Sequence, residues 1–161
     1  MRKDKINYYL DIAQSVSERS TCLRRRFGCV IVNNDEIVST GYNGAPRGRK
    51  NCTELGECYR EKLSVPRGER YELCRSVHAE QNAIISASRK ETIGADLYMV
   101  GINAKTEEVE PKSSSCMMCK RVVINAGINR VIVREPNNEY TIYNVEDWIT
   151  NDDSLNGKMG Y

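Results

Sequence analysis

Apolar residues recur along the chain with a helical spacing in three places. Between residues 4 and 19 they follow the 3.6-residue period of an amphipathic helix, and Asp4 is placed to cap its start. Residues 78–89 and 116–126 carry the same pattern, and Gly127 is expected to end the last helix. The pattern therefore predicts one helix at the start of the chain and two in its second half.

Short runs of β-branched and aromatic residues between these helices predict strands. Residues 29–32 and 36–40 flank the turn-forming residues 33–35, an arrangement typical of a β-hairpin. Further strands are predicted over residues 97–102 and 128–133. Because helices alternate with hydrophobic strands, we expect a sheet covered on both faces, which is an α/β fold of three α/β/α layers.

The composition is that of a globular protein. Of the 161 residues, 40% are hydrophobic and 29% charged, and 24 Lys and Arg oppose 22 Asp and Glu. We therefore predict a single domain over residues 1–161. The balanced charge argues against a nucleic-acid partner, and no apolar run predicts a membrane span or a signal peptide. We expect a cytoplasmic protein.

The chain contains seven cysteines and one histidine, and three of these residues suggest a metal site. In a reducing cytoplasm, cysteines are better explained by metal binding or catalysis than by disulfides. Cys116 and Cys119 lie on one face at a predicted helix start, where both can bind one zinc ion, and His78 supplies a third ligand. Three ligands leave a fourth position for a water, whose pKa zinc lowers to about 7. The pattern predicts a catalytic zinc.

Glu80 follows His78 by two residues, in the first turn of the same predicted helix. A carboxylate at that position can lie beside the metal without binding it. It can then transfer protons between a water, a ring nitrogen and a leaving amine. A His-x-Glu sequence with a downstream Cys-x-x-Cys is the arrangement that zinc nucleobase deaminases use. We therefore predict Glu80 as the catalytic acid and base of a hydrolytic deamination.

The other cysteines suggest a second metal site. Cys29 lies in an apolar strand and is expected to be a small buried hydrophobe. The other four lie in polar, loop-like segments, where four thiolates could close a structural zinc site. These four are Cys22, Cys52, Cys58 and Cys74. Their spacing is irregular, so scattered reduced thiols remain the alternative.

Three segments of the chain resemble the deoxycytidylate deaminase family, within the cytidine deaminase-like superfamily. They are the glycine-rich loop 41–48, the segment 72–84 with its His-Ala-Glu sequence, and the segment 116–128 with its Cys-Met-Met-Cys sequence. The resemblance implies a central mixed five-stranded sheet flanked by helices. It also implies zinc-dependent hydrolysis of dCMP to dUMP and ammonia, which supplies dUMP for thymidylate synthesis.

The resemblance also implies roles for individual residues. It assigns the zinc ligands and the proton shuttle to the residues named above, and matches the four other cysteines to a second zinc site of some members. The Ala79 backbone would help to hold the pyrimidine, and Asn43 would lie near the sugar. The family implies a homo-oligomer, often a hexamer, activated by dCTP and inhibited by dTTP with Mg²⁺. One departure is Ser115, which stands where the usual motif has proline.

A nucleotide monophosphate requires a cationic or amide-rich partner. The basic residues that flank the glycine-rich loop are the candidates: Arg24, Arg25, Arg26, Arg47, Arg49 and Lys50. We expect Arg26, next to the first predicted strand, to contact the phosphate. A solvated basic surface is the alternative.

Two other functions remain open at this point. The same metal chemistry could act on another base, such as cytidine, guanine or a tRNA adenosine, although a polynucleotide substrate would normally require a basic stripe. Alternatively, the chain could be a non-enzymatic binding module with two zinc ions, each held by four protein ligands. Substitution of Glu80 distinguishes the two: it should abolish turnover by an enzyme, and it should leave the activity of a binding module unchanged.

Overall fold

Five strands form one mixed sheet at the centre of the computed structural model, which describes residues 1–156. In chain order the strands are β1 (Arg25–Asn33), β2 (Glu36–Tyr42), β3 (Asp96–Asn103), β4 (Arg130–Arg134) and β5 (Tyr140–Asn144). Their order across the sheet is β2-β1-β3-β4-β5, with β3 and β4 parallel and the other neighbours antiparallel. The predicted five-stranded mixed sheet is confirmed.

Helices cover both faces of this sheet. In chain order they are α1 (Lys5–Ser17), α2 (Cys52–Leu55), α3 (Tyr59–Lys62), α4 (Ala79–Ile85), α5 (Arg89–Thr92), α6 (Met117–Asn125) and α7 (Val145–Thr150). Helix α1 packs on one face, and α4 and α6 pack on the other, so the three α/β/α layers are confirmed. Within residues 1–156, no helix has the length and apolar character needed to span a membrane. The single domain predicted over 1–161 includes five residues outside the described range.

The helix predicted over residues 78–89 is two helices. Helix α4 ends at Ile85, and Ser88 caps α5 by accepting a hydrogen bond from the Glu91 backbone N–H at 3.2 Å. Serine side chains compete for backbone hydrogen bonds in this way and favour helix ends over helix interiors. Helix α4 is therefore only two turns long, and its first turn contains Glu80, the predicted acid and base.

Alternate residues of β1 face opposite layers of the fold. Val30 and Val32 belong to the core beneath α1, whereas Cys29 and Ile31 belong to the core beneath α4 and α6. The pairing of β1 with β3 runs without a register shift over residues 25–32. Because side chains alternate along a strand, all even-numbered residues of this stretch face α1. The odd-numbered ones face the layer that carries the proposed site.

Gly28 lies where α1 crosses β1 in close contact. A Cβ added at Gly28 would lie 2.1 Å from the carbonyl oxygen of Ala13 and 2.5 Å from the backbone nitrogen of Ser17. We expect Gly28→Ala to lower the free energy of unfolding by about 3 kcal/mol, since overpacking against backbone cannot be relieved by a side-chain rotation. Denaturant unfolding measures this difference.

Thr40→Ala is the matched control for that substitution, because Thr40 is an exposed residue of β2 paired with Val30. We expect its effect to be below about 1 kcal/mol. Equal destabilisation by both substitutions would contradict the close approach of α1 to β1.

Candidate active site

Two helix starts bring His78, Cys116 and Cys119 together. His78 directly precedes α4, Cys116 directly precedes α6, and Cys119 lies in the first turn of α6. The Nδ1 atom of His78 lies 3.2 Å from the Sγ atom of Cys119 and 3.6 Å from that of Cys116. The three ligand atoms lie within 4.8 Å of one another, and in residues 1–156 this is the only such group of three or more potential metal ligands.

The three groups of this trio share protons closely, and their donor atoms suit a divalent metal ion. A hydrogen bond from Cys119 and the neighbouring imidazole lower the pKa of Cys116 to about 4. The pKa of Cys119 is raised, because its thiol bonds to Cys116 and is buried. Burial alone would lower the pKa of His78, but hydrogen bonds with Cys116 and Cys74 raise it to about 10. One imidazole and two cysteine sulfurs form a donor set that Zn²⁺ prefers, because the metal takes them in their deprotonated forms.

Glu80 lies beside the trio in the first turn of α4. It lines the same cavity as His78 and Cys116, yet its side chain is only 5% exposed. The hydroxyl of Ser115 donates a hydrogen bond of 3.0 Å to its Oε1 atom. A shielded carboxylate next to potential metal ligands can exchange protons with a molecule in the cavity without exchange with bulk water.

The residues expected to hold the pyrimidine and the sugar also line this cavity. Ala79 is fully buried and is the first residue of α4, so its backbone N–H has no partner within the helix. The Asn43 amide donates to the carbonyl of Arg25 at 2.9 Å, and its oxygen accepts from the Phe27 backbone at 2.8 Å and from the Ser20 hydroxyl. Asn43 therefore joins β1 to the loop after β2 at the wall of the cavity.

The four cysteines of the expected second site are neighbours. Cys22, Cys58 and Cys74 line the same cavity as the trio, and Cys52 is buried at the start of α2. Burial, followed by the three neighbouring thiols, raises the pKa of Cys52. In the described residues, however, no three of these sulfurs lie within 4.8 Å of one another. All seven cysteines are free thiols.

Arg26 does not line the cavity, contrary to the expectation that it contacts a phosphate there. It is an even-numbered residue of β1 and faces α1, and its Nη2 atom pairs with Oε1 of Glu107 at 3.1 Å. Five other cations line the cavity instead: Arg24, Arg25, Arg60, Arg67 and Lys112. The first two belong to the expected basic cluster, and the other three lie in polar segments without a sequence motif.

Arg60 is the most deeply buried of these cations, with 6% of its side chain exposed. Its Nη2 atom donates to the carbonyl oxygens of Pro66 and Glu69, and its guanidinium lies 4.4 Å from the centre of the Tyr71 ring. Its Nε atom is buried and has no hydrogen-bond partner among the described residues. Because these contacts are with neutral groups, they leave the charge of Arg60 uncancelled.

The other cations differ in whether a carboxylate compensates them. Arg24 pairs with Glu61 at 3.0 Å, and Arg25 approaches Glu110 at 3.8 Å. Arg67 and Lys112 are exposed and form no ion pair with the residues that the structure describes. Together with Arg60, they give the cavity three positive charges available to an anion.

A three-layer α/β/α fold with potential zinc ligands at the starts of two adjacent helices is the arrangement expected of a zinc-binding deaminase domain. Residues 3–135 match the family described as the cytidine and deoxycytidylate deaminase zinc-binding region. The chain belongs to this family, which confirms the resemblance seen in its sequence.

Two relatives and one crystal structure that are similar to this chain carry the name deoxycytidylate deaminase or dCMP deaminase. The chain is 33% identical over 140 residues to deoxycytidylate deaminase of Schizosaccharomyces pombe, covering 87% of this chain and 38% of that protein. It is 35% identical over 135 residues to deoxycytidylate deaminase of Mycobacterium phage D29, covering 81% and 94%. The crystal structure of dCMP deaminase from the cyanophage S-TIM5 with dCMP and dUMP superimposes with a TM-score of 0.58 at 26% identity, covering 84% of each chain. The chain thus matches well under half of the S. pombe protein but nearly the whole phage D29 protein.

Proposed function

We propose that this protein is a zinc-dependent deoxycytidylate deaminase, which hydrolyses dCMP to dUMP and ammonia and so supplies dUMP for thymidylate synthesis. The observation that carries the proposal is a single cavity lined by His78, Cys116 and Glu80 together with three uncompensated cations. The relatives named deoxycytidylate deaminase, and the dCMP and dUMP in the S-TIM5 crystal structure, support the same substrate.

In the proposed reaction a C4–O bond forms and the C4–N bond to the exocyclic amine breaks. His78, Cys116 and Cys119 would hold zinc, which would supply the Lewis acidity that makes a water nucleophilic at neutral pH. Glu80 accepts the first proton of the attacking water and delivers it to ring nitrogen N3. It then transfers the second proton to the amine, which leaves as ammonia. The two protons and the oxygen of one water are thereby accounted for.

Two further residues are proposed to hold the substrate. The Ala79 backbone binds the pyrimidine, supported by its location at the start of α4 within the cavity. Asn43 lies near the sugar. Its amide nitrogen uses one hydrogen for the carbonyl of Arg25, which leaves the second hydrogen for a sugar oxygen.

The proposed reaction is tested by incubating the purified protein with dCMP, cytidine, guanine and tRNA and measuring ammonia release. We expect turnover of dCMP. Release from another substrate but not from dCMP would support the alternative, a deaminase of a different base, and would contradict our proposal. The cations are grouped around one cavity and do not form an extended stripe, which favours a mononucleotide over a polynucleotide.

We propose that the substrate phosphate binds Arg60, Arg67 and Lys112 rather than Arg26. Their charges are not neutralised by carboxylates of the described residues, whereas Arg26 is paired with Glu107 on the other face of β1. Hydrogen bonds between a cation and a phosphate are roughly twice as strong as neutral ones. We therefore expect these three cations to strengthen the binding of a nucleotide and to leave the binding of a nucleoside unchanged.

Arg67→Gln is expected to raise KM for dCMP by about 10-fold or more, which corresponds to the loss of one charge-assisted hydrogen bond. The value of kcat should change little, because the phosphate is remote from C4. The kinetics of deoxycytidine, which has no phosphate, should not change. Steady-state kinetics of both substrates measure these effects.

Arg26→Gln and Arg47→Gln are the controls, since neither arginine lines the cavity. Both variants should keep the wild-type KM for dCMP. A larger rise of KM in Arg26→Gln than in Arg67→Gln would instead support Arg26 as the phosphate partner, as predicted from the sequence. A rise of KM for deoxycytidine equal to that for dCMP would contradict a phosphate contact by Arg67.

We also propose a second, structural zinc ion. Its ligands would be Cys22, Cys52, Cys58 and Cys74, and the proposal is supported by the proximity of these thiols around the polar segment that contains α2 and α3. Four thiolates would close the coordination sphere and would stabilise a segment with few core residues.

The resemblance to the family supports further proposals about regulation and assembly. We propose a homo-oligomer, with a hexamer as the first expectation, activated by dCTP and inhibited by dTTP in the presence of Mg²⁺. We propose a cytoplasmic location, supported by the seven free thiols, and neither a nucleic acid nor a membrane as partner.

A further inference from the structure

Ser115 precedes the first proposed zinc-binding cysteine, at the position where the usual motif of the family has proline. Proline has neither a side-chain donor nor a backbone N–H. Serine adds one hydroxyl, which can both donate and accept a hydrogen bond. The replacement therefore introduces a polar group next to the site that the family pattern lacks.

That hydroxyl is buried and bonds to the proposed proton shuttle. The Ser115 Oγ atom donates to Oε1 of Glu80 at 3.0 Å, and each of the two residues is 5% exposed. The bond joins the segment before α6 to the first turn of α4, so it links the two helix starts that carry the proposed metal ligands. A hydrogen bond to a carboxylate is stronger than one between neutral groups, and burial strengthens it further.

The surrounding loop holds Ser115 in place. The Ser113 hydroxyl donates to the carbonyl oxygen of Glu110 at 3.0 Å, and the Ser114 backbone N–H donates to the carbonyl oxygen of Lys112 at 2.9 Å. Glu80 lines the cavity, but Ser115 does not. Ser115 is therefore placed to act on the reaction through Glu80 and not through contact with the substrate.

We infer that Ser115 is a positioning residue, whose hydroxyl fixes one carboxylate oxygen of Glu80 and so keeps the other directed at the reacting atoms. The inference rests on the proposed deamination. In that reaction Glu80 must reach the water, N3 and the amine in turn, and a misplaced carboxylate would slow each transfer. Binding of the substrate does not require this orientation.

The test compares four variants of the full chain with the wild type: Ser115→Ala, Ser115→Thr, Ser115→Val and Ser39→Ala. We expect Ser115→Ala to lower kcat for dCMP by about 10- to 100-fold, the equivalent of one charge-assisted hydrogen bond, with KM within twofold of wild type. Threonine keeps the hydroxyl and should restore most of kcat. Valine has the shape of threonine without the hydroxyl and should be as slow as alanine. The comparison of valine with threonine tests the inference on its own if the alanine variant does not fold.

Ser39→Ala controls for the loss of a buried hydroxyl. The Ser39 hydroxyl donates to the carbonyl oxygen of Ala83 in α4 at 2.7 Å and does not contact Glu80. This variant should lose stability while keeping kcat. Zinc content measured on every variant separates a change in Glu80 from a loss of metal.

A second readout does not depend on turnover. The infrared band of the Glu80 carboxylate, assigned as the band missing in Glu80→Gln, should shift in Ser115→Ala and Ser115→Val and stay in place in Ser115→Thr. An unshifted band, a wild-type kcat in Ser115→Val, or equal kcat for the threonine and valine variants would overturn the inference. A wild-type protein that does not deaminate dCMP would overturn the proposed function, and the infrared result would still test the contact.

Discussion

Glu80→Gln is expected to lower kcat for dCMP by about 10⁴-fold, at the upper end of what one positioned acid and base contributes. The amide has nearly the volume of the carboxylate and can still accept a hydrogen bond from Ser115, so the fold should be preserved. It cannot accept a proton from water at neutral pH. Turnover should therefore fall while zinc content and the unfolding temperature stay near those of the wild type.

Single-turnover kinetics, metal analysis and thermal unfolding of the same preparation measure these quantities. Glu36→Gln is the matched control, because Glu36 is an exposed residue at the start of β2, remote from the cavity. Loss of zinc in Glu80→Gln would make Glu80 a metal-holding residue instead of a proton shuttle. Unchanged activity would favour the non-enzymatic module, in which no carboxylate is needed beside the metal.

The trio of potential ligands could be predicted from the sequence, because the spacing of its two cysteines is that of one helix turn. Cys116 and Cys119 are three residues apart at a helix start, and helical geometry alone puts both on one face. His78 precedes another helix, and both helices pack on the same face of the sheet. Local geometry does not predict that these two helices, which are distant in sequence, lie in contact. That contact is predicted only because His-x-Glu and Cys-x-x-Cys together form the pattern of zinc nucleobase deaminases.

The cations of the cavity could not be predicted in the same way. Arg60 and Arg67 lie in a polar segment whose path depends on tertiary contacts, such as those of Arg60 with the carbonyls of Pro66 and Glu69. The position of Arg26 next to a predicted strand favours it as a phosphate partner, but position alone does not specify which face of the sheet its side chain occupies. The register of β1 and strand alternation place Arg25 on the side of the sheet that carries the cavity and Arg26 on the side of α1.

Strand β5 carried too weak a signal to be found from hydrophobic pattern. It is an edge strand, and its residues Tyr140 and Ile142 stay 41% and 39% exposed. Its place in the sheet is fixed by pairing with β4, where Ile142 lies opposite Ile132. The number of strands was therefore available only from the resemblance, whereas the three layers followed from the alternation of helices and strands.

Cys119→Ser is expected to remove one zinc ion per chain and to abolish turnover, with a loss of at least about 10⁴-fold. Cys119 is fully buried, and its sulfur lies 3.2 Å from Nδ1 of His78. A serine hydroxyl keeps the volume but is a far poorer ligand than a thiolate, so two ligands remain where three are needed. Without the Lewis acid, a water at neutral pH is not nucleophilic enough to add to C4.

Cys58→Ser is the comparison variant, since Cys58 lines the same cavity but lies outside the trio and is a proposed ligand of the structural zinc. Zinc content, turnover and unfolding temperature are measured for the wild type and both variants. Cys58→Ser is also expected to lose one ion per chain, but to lower the unfolding temperature while keeping most of the turnover. If Cys119→Ser keeps its zinc and its activity, the trio is not the catalytic metal site, because a Cys119 with only a structural role would affect stability but leave the metal bound and the reaction intact.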